Sequence, residues 1–454
     1  MGHLTAQEAK LIRDAVLSRR TPKTLVDGKW SVSPLNQDPA VIGRFGGGRL
    51  PEKVIIRDIT LRTIDQAPGV WITEPQRRHL AEELIRTGVS SLQIAWLAVQ
   101  GGGDVKKEVE FIKKLNPDIE LSVCGGTSQR VDIAADAGIE LYLAYGPIVP
   151  EFQLIHGPYA REILRAEQKG EDWRKTINYP KTEGEFLKRL QDDVVYAKKR
   201  GMRAGLFTSM LHYATAQDMI NFARAAREVD ADEIGLGDGA SGVSPEALHY
   251  IVSLIKQEAP DIPVSIHAHN AFGLGLAASL AAVQAGAEII EVAVNHLCSG
   301  AGQTDFAEVA ASLEVLYGVS TGIDLTRLTP LKELVEDMSG VRMSPNKAVT
   351  GDSFATYTEE AIFEEEEYAP VHKAANPEIF GNKAGYKLGR FSGVSGAHMI
   401  RTKLIERGVQ VSDAQFERIL PQLKAIMEMR RRTLSDEELA QAAFDIVSSE
   451  KKRA

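Results

Sequence analysis

From Lys53 onward, short apolar runs rich in β-branched residues alternate with longer segments whose apolar positions recur at helical spacing. This is the pattern of parallel strands joined by crossover helices. Eight strands are predicted, at 54–60, 91–96, 120–124, 140–145, 203–209, 233–238, 263–270 and 288–295, with clear helices between them at 74–87, 216–229 and 274–285. Eight strands spread over roughly 260 residues suit an α/β fold of the closed (β/α)₈, or TIM, barrel type.

The flanks read differently. Residues 5–20 form a short amphipathic pattern, followed by a Pro- and Gly-containing stretch up to Leu50 with no sustained period, so 1–50 is expected to be an arm lying on a neighbouring subunit or on the chain's own barrel. The connection at 147–182 holds Pro147, Pro150, Pro158 and Pro180 and is too long for an ordinary βα loop, which points to a lid or a subunit contact. After Leu328 the alternation stops. Residues 326–454 are expected to form a mostly helical C-terminal extension behind a barrel at 51–325, with an irregular acidic stretch at 345–395.

Composition narrows the class. A chain of 454 residues is long for one core, and 44% hydrophobic with 25% charged residues is ordinary for a globular protein. The net charge of −9 gives no electrostatic reason to expect nucleic acid or an anionic membrane. Two cysteines, Cys124 and Cys298, are too few for a disulfide framework and suit a reducing compartment. Charges interrupt the N-terminus and no window approaches the ~20 apolar residues of a membrane span, so a cytoplasmic location is expected.

In such a barrel the chemistry sits at the C-terminal ends of the strands. Strand one ends in Arg57-Asp58-Ile59-Thr60, strand six in Gly237-Asp238 and strand seven in His267-Ala268-His269-Asn270. His267 and His269 are two apart on a strand and share a face, so they can either chelate one metal ion or serve as hydrogen-bonded polar groups of the core. Asp58 brings a carboxylate to the same rim, and two imidazoles with a carboxylate make a divalent-metal site. Arg57 either stabilises a developing enolate or forms a salt bridge under the rim; strand alternation points it away from Asp58 unless the strand end is twisted.

Arg57-Asp58-Ile59-Thr60-Leu61-Arg62, Ile266-His267-Ala268-His269-Asn270 and Gly273-Leu274-Gly275 resemble segments of the DRE-TIM metallolyase superfamily. Pro345-Asn346-Lys347 and Leu388-Gly389-Arg390-Phe391-Ser392-Gly393 are similar to segments that follow the barrel in its synthase branch, an extension its lyase branch normally lacks. The resemblance implies a divalent metal (Mn²⁺, Mg²⁺ or Zn²⁺) on Asp58, His267 and His269, with Arg57 at the enolate. It also puts Gln303 where the family has a metal-adjacent asparagine. The implied reaction is a Claisen-type condensation of an acyl-CoA, acetyl-CoA foremost, with a 2-oxo acid in a homodimer.

Departures from the pattern give further candidates. The usual synthase histidine is absent, leaving Tyr357, Tyr368 or His372 as substitutes, and His212 stands in the segment after strand five where the family has an acidic pair. Gln66, Gln93, Asp238 and Asn295 are candidates for substrate binding, and Trp96 replaces a small residue. A retro-aldol lyase is the alternative reading, and a metal-bearing barrel without catalysis ranks last. No Gly-rich phosphate motif is present.

Overall fold

The computed structural model describes residues 50–97, 105–149, 159–357 and 394–453 continuously, together with most of 24–42, most of 374–386 and isolated positions elsewhere. Its centre is a closed barrel of eight parallel strands: β1 (Ile55–Asp58), β2 (Ser91–Trp96), β3 (Glu120–Gly125), β4 (Leu141–Pro147), β5 (Arg203–Ser209), β6 (Ile234–Asp238), β7 (Val264–Ala268) and β8 (Ile289–Val292). β8 closes on β1 with Val292 opposite Asp58.

The strands are buried on both faces, which is why their sequences read as near-continuous apolar runs. Helices α1 (Glu74–Arg86), α2 (Val105–Leu115), α3 (Ser128–Ala137), α4 (Glu183–Lys199), α5 (Ala216–Glu228), α6 (Pro245–Glu258) and α7 (Gly275–Gln284) follow the first seven strands. Several begin at a side-chain cap: Thr73 and Thr215 each close a capping box, and the hydroxyls of Thr182 and Ser244 accept from backbone amides.

The interior is layered. Alternation sends Arg57 inward with Ser91, Gln93, Glu120, Glu233 and Glu291, while Asp58 faces out. A register shift between Gln93 and Ala95 breaks the period of β2 and turns Trp96 toward the mouth. Gly235 makes room for the Phe207 ring, which a Cβ there would meet at 2.1 Å.

The described part of the N-terminal arm lies on its own chain. Trp30 bridges Ala375, and the Asn376 amide donates to the Lys29 carbonyl over 2.7 Å. Most of the helix predicted at 5–20 falls outside the described residues, although Lys10, Leu11, Asp14 and Ala15 are helical. Within 147–182 the described chain forms helices at Ala160–Gln168 and Trp173–Thr176.

Helix α8 (Leu328–Ser339) buries Leu328, Leu331 and Val335 in the barrel's own core. Three later helices, α9 (Val394–Glu406), α10 (Asp413–Arg430) and α11 (Asp436–Arg453), build a separate small core around Leu404, Ile419, Leu423 and Leu439. Among the described residues no helix is long and apolar enough to cross a membrane.

Candidate active site

A cavity opens at the C-terminal end of the barrel, lined by Arg62, Gln66, Trp96, Tyr145, Phe207, Ser209, His267, His269 and Ser299 among others. One side is aromatic, with the Trp96 and Tyr145 rings edge-to-face at 5.4 Å and Phe207 6.0 Å from Tyr145. The other side is polar. Arg62 stands over the Trp96 ring at 5.5 Å and donates to Gln93 Oε1.

The two histidines converge. His267 Nε2 and His269 Nε2 lie 3.1 Å apart, and His267 Nδ1 meets Glu291 Oε2 at 2.8 Å. Glu291 stays charged: burial opposes this, but the His267 hydrogen bond and the nearby arginines hold its carboxyl below the usual range. Burial pushes His267 below the ordinary imidazole value, against the pull of Glu291. A neutral His267 with its proton on Nδ1 therefore presents the Nε2 lone pair to the cavity.

His269 is fixed by the loop after β8. Gln303 pairs with His269 across a backbone bridge, and Asn270 N donates to the Gly302 carbonyl over 2.9 Å. The loop folds tightly enough that a Cβ on Gly302 (φ +92°) would stand 2.0 Å from the His296 carbonyl oxygen. This fold-back brings the Cys298 thiol 3.9 Å from His269 Nε2 and 3.6 Å from Gln66 Oε1. Burial raises the Cys298 thiol above its ordinary value.

Below the mouth Arg57 is enclosed. Its guanidinium donates to both oxygens of Glu233 over 2.6 and 2.8 Å and to Glu120 over 3.1 Å, and its Nε donates to Ser91. It is fully buried and lines no part of the cavity. The salt bridge under the rim is thus the arrangement the fold adopts, and Arg62 is the cationic group at the cavity.

Asp58 is also held apart from the histidines. One carboxylate oxygen accepts from the Thr60 amide over 2.9 Å, the other from the Thr60 hydroxyl over 2.7 Å, and that hydroxyl in turn accepts from Val294 N. Asp58 thus ties the end of β1 to the chain after β8. Burial lifts its carboxyl to about 7 against these bonds.

The remaining candidates divide. Gln66 lines the cavity, and Gln93 lies one layer down, bridging Arg62 and Glu291. Asp238 instead accepts from the amides of Gly242 and Val243, and Asn295 donates to the Lys332 carbonyl. The half-buried His212 ring packs on Tyr213 outside the cavity lining. Tyr357 sits in a two-residue strand beside Tyr386, while Tyr368 and His372 lie outside the described residues. Lys347, from the Pro-Asn-Lys segment, pairs with Asp305 and Glu308 at 3.0 and 2.9 Å and so anchors that segment beside the β8 loop.

Residues 172–335 match the HMGL-like family. A Methanopyrus kandleri protein assigned as an (R)-citramalate synthase is 30% identical over 404 residues, spanning 87% of this chain and 73% of its own length. The chain belongs to the HMGL-like family. Other relatives in this DRE-TIM group are the 2-isopropylmalate synthase of Methanocaldococcus jannaschii (28% identical, 88% of this chain, 72% of its own) and a homocitrate synthase of M. kandleri (29%, 88% and 94%). The crystal structure of the HMG-CoA lyase from Brucella melitensis shares the fold, with a TM-score of 0.53 at 17% identity over 64% of this chain and all of that one.

Membership in this family implies a divalent metal and acetyl-CoA. His267 and His269 fit an ion, since their Nε2 atoms converge and Glu291 backs one ring as metal-bound histidines require. Gln303 Oε1 is buried without a hydrogen-bond partner, an acceptor in need of one. Asp58 does not fit. Among the described residues no group of three His, Cys, Asp or Glu side chains is arranged to hold a metal.

Proposed function

We propose that this protein joins the acyl group of an acyl-CoA, acetyl-CoA foremost, to the carbonyl carbon of a 2-oxo acid, working as a cytoplasmic homodimer. The observation that carries the reading is the polar half of the cavity, Arg62 with the paired imidazoles, on a chain whose synthase relatives align over 83–88% of its length, beyond the barrel alone.

Arg62 binds the substrate carboxylate and stabilises the alkoxide that forms as the acyl-CoA C2 carbanion attacks the carbonyl. The aromatic wall of Trp96, Tyr145 and Phe207 excludes water from the opposite side and packs the substituent of the 2-oxo acid. Gln66 orients the bound acid. His267, His269 and Gln303 would hold the divalent ion, which when bound supplies Lewis-acid polarisation of the carbonyl. Water then cleaves the thioester, releasing free CoA and a 2-hydroxy acid with one carboxylate more than the 2-oxo acid.

A second reading, retro-aldol cleavage of a hydroxy acid, is favoured by the Cys298 thiol beside His269, a protonated group able to return a proton to a departing carbanion. The deciding experiment pairs acetyl-CoA with 2-oxo acids from glyoxylate to oxaloacetate in the presence of Mn²⁺ and follows free thiol. Thiol release by at least one pair, lost in His267→Ala, is expected. No release, with cleavage of a hydroxy acid instead, would establish the second reading.

A further inference from the structure

Among the described residues, the carboxylates that close the strands at the barrel mouth already have their own partners. Both oxygens of Asp58 are taken by Thr60, Glu291 is shared between His267 Nδ1 and Gln93 Nε2, and Asp238 accepts two loop amides. What points at the cavity is neutral or positive: His267 Nε2, His269 Nε2 and the Arg62 guanidinium. Close by, on the residue bridged to His269, the amide oxygen of Gln303 is buried and unpartnered.

We infer that this chain holds its divalent ion on a donor set without a protein carboxylate, two imidazoles and the Gln303 amide, and that the carboxylate of the bound 2-oxo acid supplies the missing anionic ligand. Two consequences follow from electrostatics. A bare cation meets the like charge of Arg62 with no counter-charge among its ligands, whereas an incoming carboxylate is attracted by both. Ion and 2-oxo acid therefore enhance each other's binding, and by linkage the enhancement is equal in both directions. An imidazole-based set without carboxylate also disfavours Mg²⁺, a hard ion that prefers anionic oxygen, relative to Zn²⁺. Only the identity of the anion rests on the function proposed above.

The test is equilibrium binding of Zn²⁺, Mn²⁺ and Mg²⁺ to the full chain after chelator stripping, with and without each 2-oxo acid of the panel. The expected result is no saturable Mg²⁺ binding alone, and a gain of about tenfold or more in Mn²⁺ affinity with at least one 2-oxo acid. Gln303→Glu puts a carboxylate on the donor set and should tighten Mn²⁺ without any acid, shrinking the enhancement. Asp58→Asn, checked for folding by circular dichroism, should leave ion affinity unchanged. Ion affinity indifferent to every 2-oxo acid, or loss of ion binding in folded Asp58→Asn, would overturn the inference. Coupled binding without thiol release would sink the proposed condensation alone; thiol release with uncoupled binding would sink this inference alone.

Discussion

Arg57 and Arg62 belong to one short segment yet serve two different regions, the floor of the barrel and its mouth. At the floor Arg57 is enclosed by Glu233, Glu120 and Glu291, outside the lining of the mouth cavity. At the mouth Arg62 is turned to the cavity, stacked on Trp96 and bonded to Gln93. The same side chain is thus a structural counter-ion in one layer and a cavity-facing cation in the next. What separates the two roles is the end of β1 between them.

That contrast can be broken from the floor first. Arg57→Met leaves Glu233 and Glu291 buried without their cation, and breaking a buried pair in this way costs about 3–5 kcal/mol. Denaturant unfolding should show that loss, or no folded protein at all; a stability close to that of the parent chain would mean the floor is not the structural layer described.

At the mouth, Arg62→Lys keeps the charge but loses the planar fork. We expect kcat/KM for thiol release to fall by about a hundredfold, in line with losing one preorganised donor. The stability loss should be smaller than that of Arg57→Met. Equal effects of the two variants on folding and on turnover would erase the distinction between the layers.

The smallest effect sharpens the link between the layers, Glu291 with His267. Burial lowers the His267 value in the folded chain, so the unfolded chain binds the proton more readily. This contribution to stability is present above about pH 6.5 and is lost as pH falls below it. His267→Gln should flatten the stability profile in that window, measured by urea unfolding at a series of pH values. An unchanged slope would mean His267 does not carry the titration.

The barrel was legible because its strands are buried on both faces and bounded by turn residues, so β2, β5 and β6 fall within a residue of where the pattern puts them. His267 and His269 were legible for the same reason: a spacing of two on a strand fixes a shared face. That alternation also carried the warning about Asp58, whose parity is opposite to Arg57 and sends it outward to Thr60. Strand alternation does not single out Arg62, because it lies in the helical turn beyond β1, where a period of two no longer applies. The rule that barrel chemistry lies past the strand ends favours it over an arginine inside the strand. Cys298 could not be placed from sequence, since its approach to His269 depends on the fold-back closed at Gly302.

The division between floor and mouth also bears on how such a protein changes over generations. The Arg57 cluster ties β1, β3 and β8 to the residue that leads into β6, and altering one member strands the others. Trp96, Tyr145, Phe207 and Cys298 hold up no comparable network of charges. Ancestral drift in what the enzyme accepts can therefore proceed at the rim while the charged floor stays fixed, and descendants with different substrates would keep one scaffold.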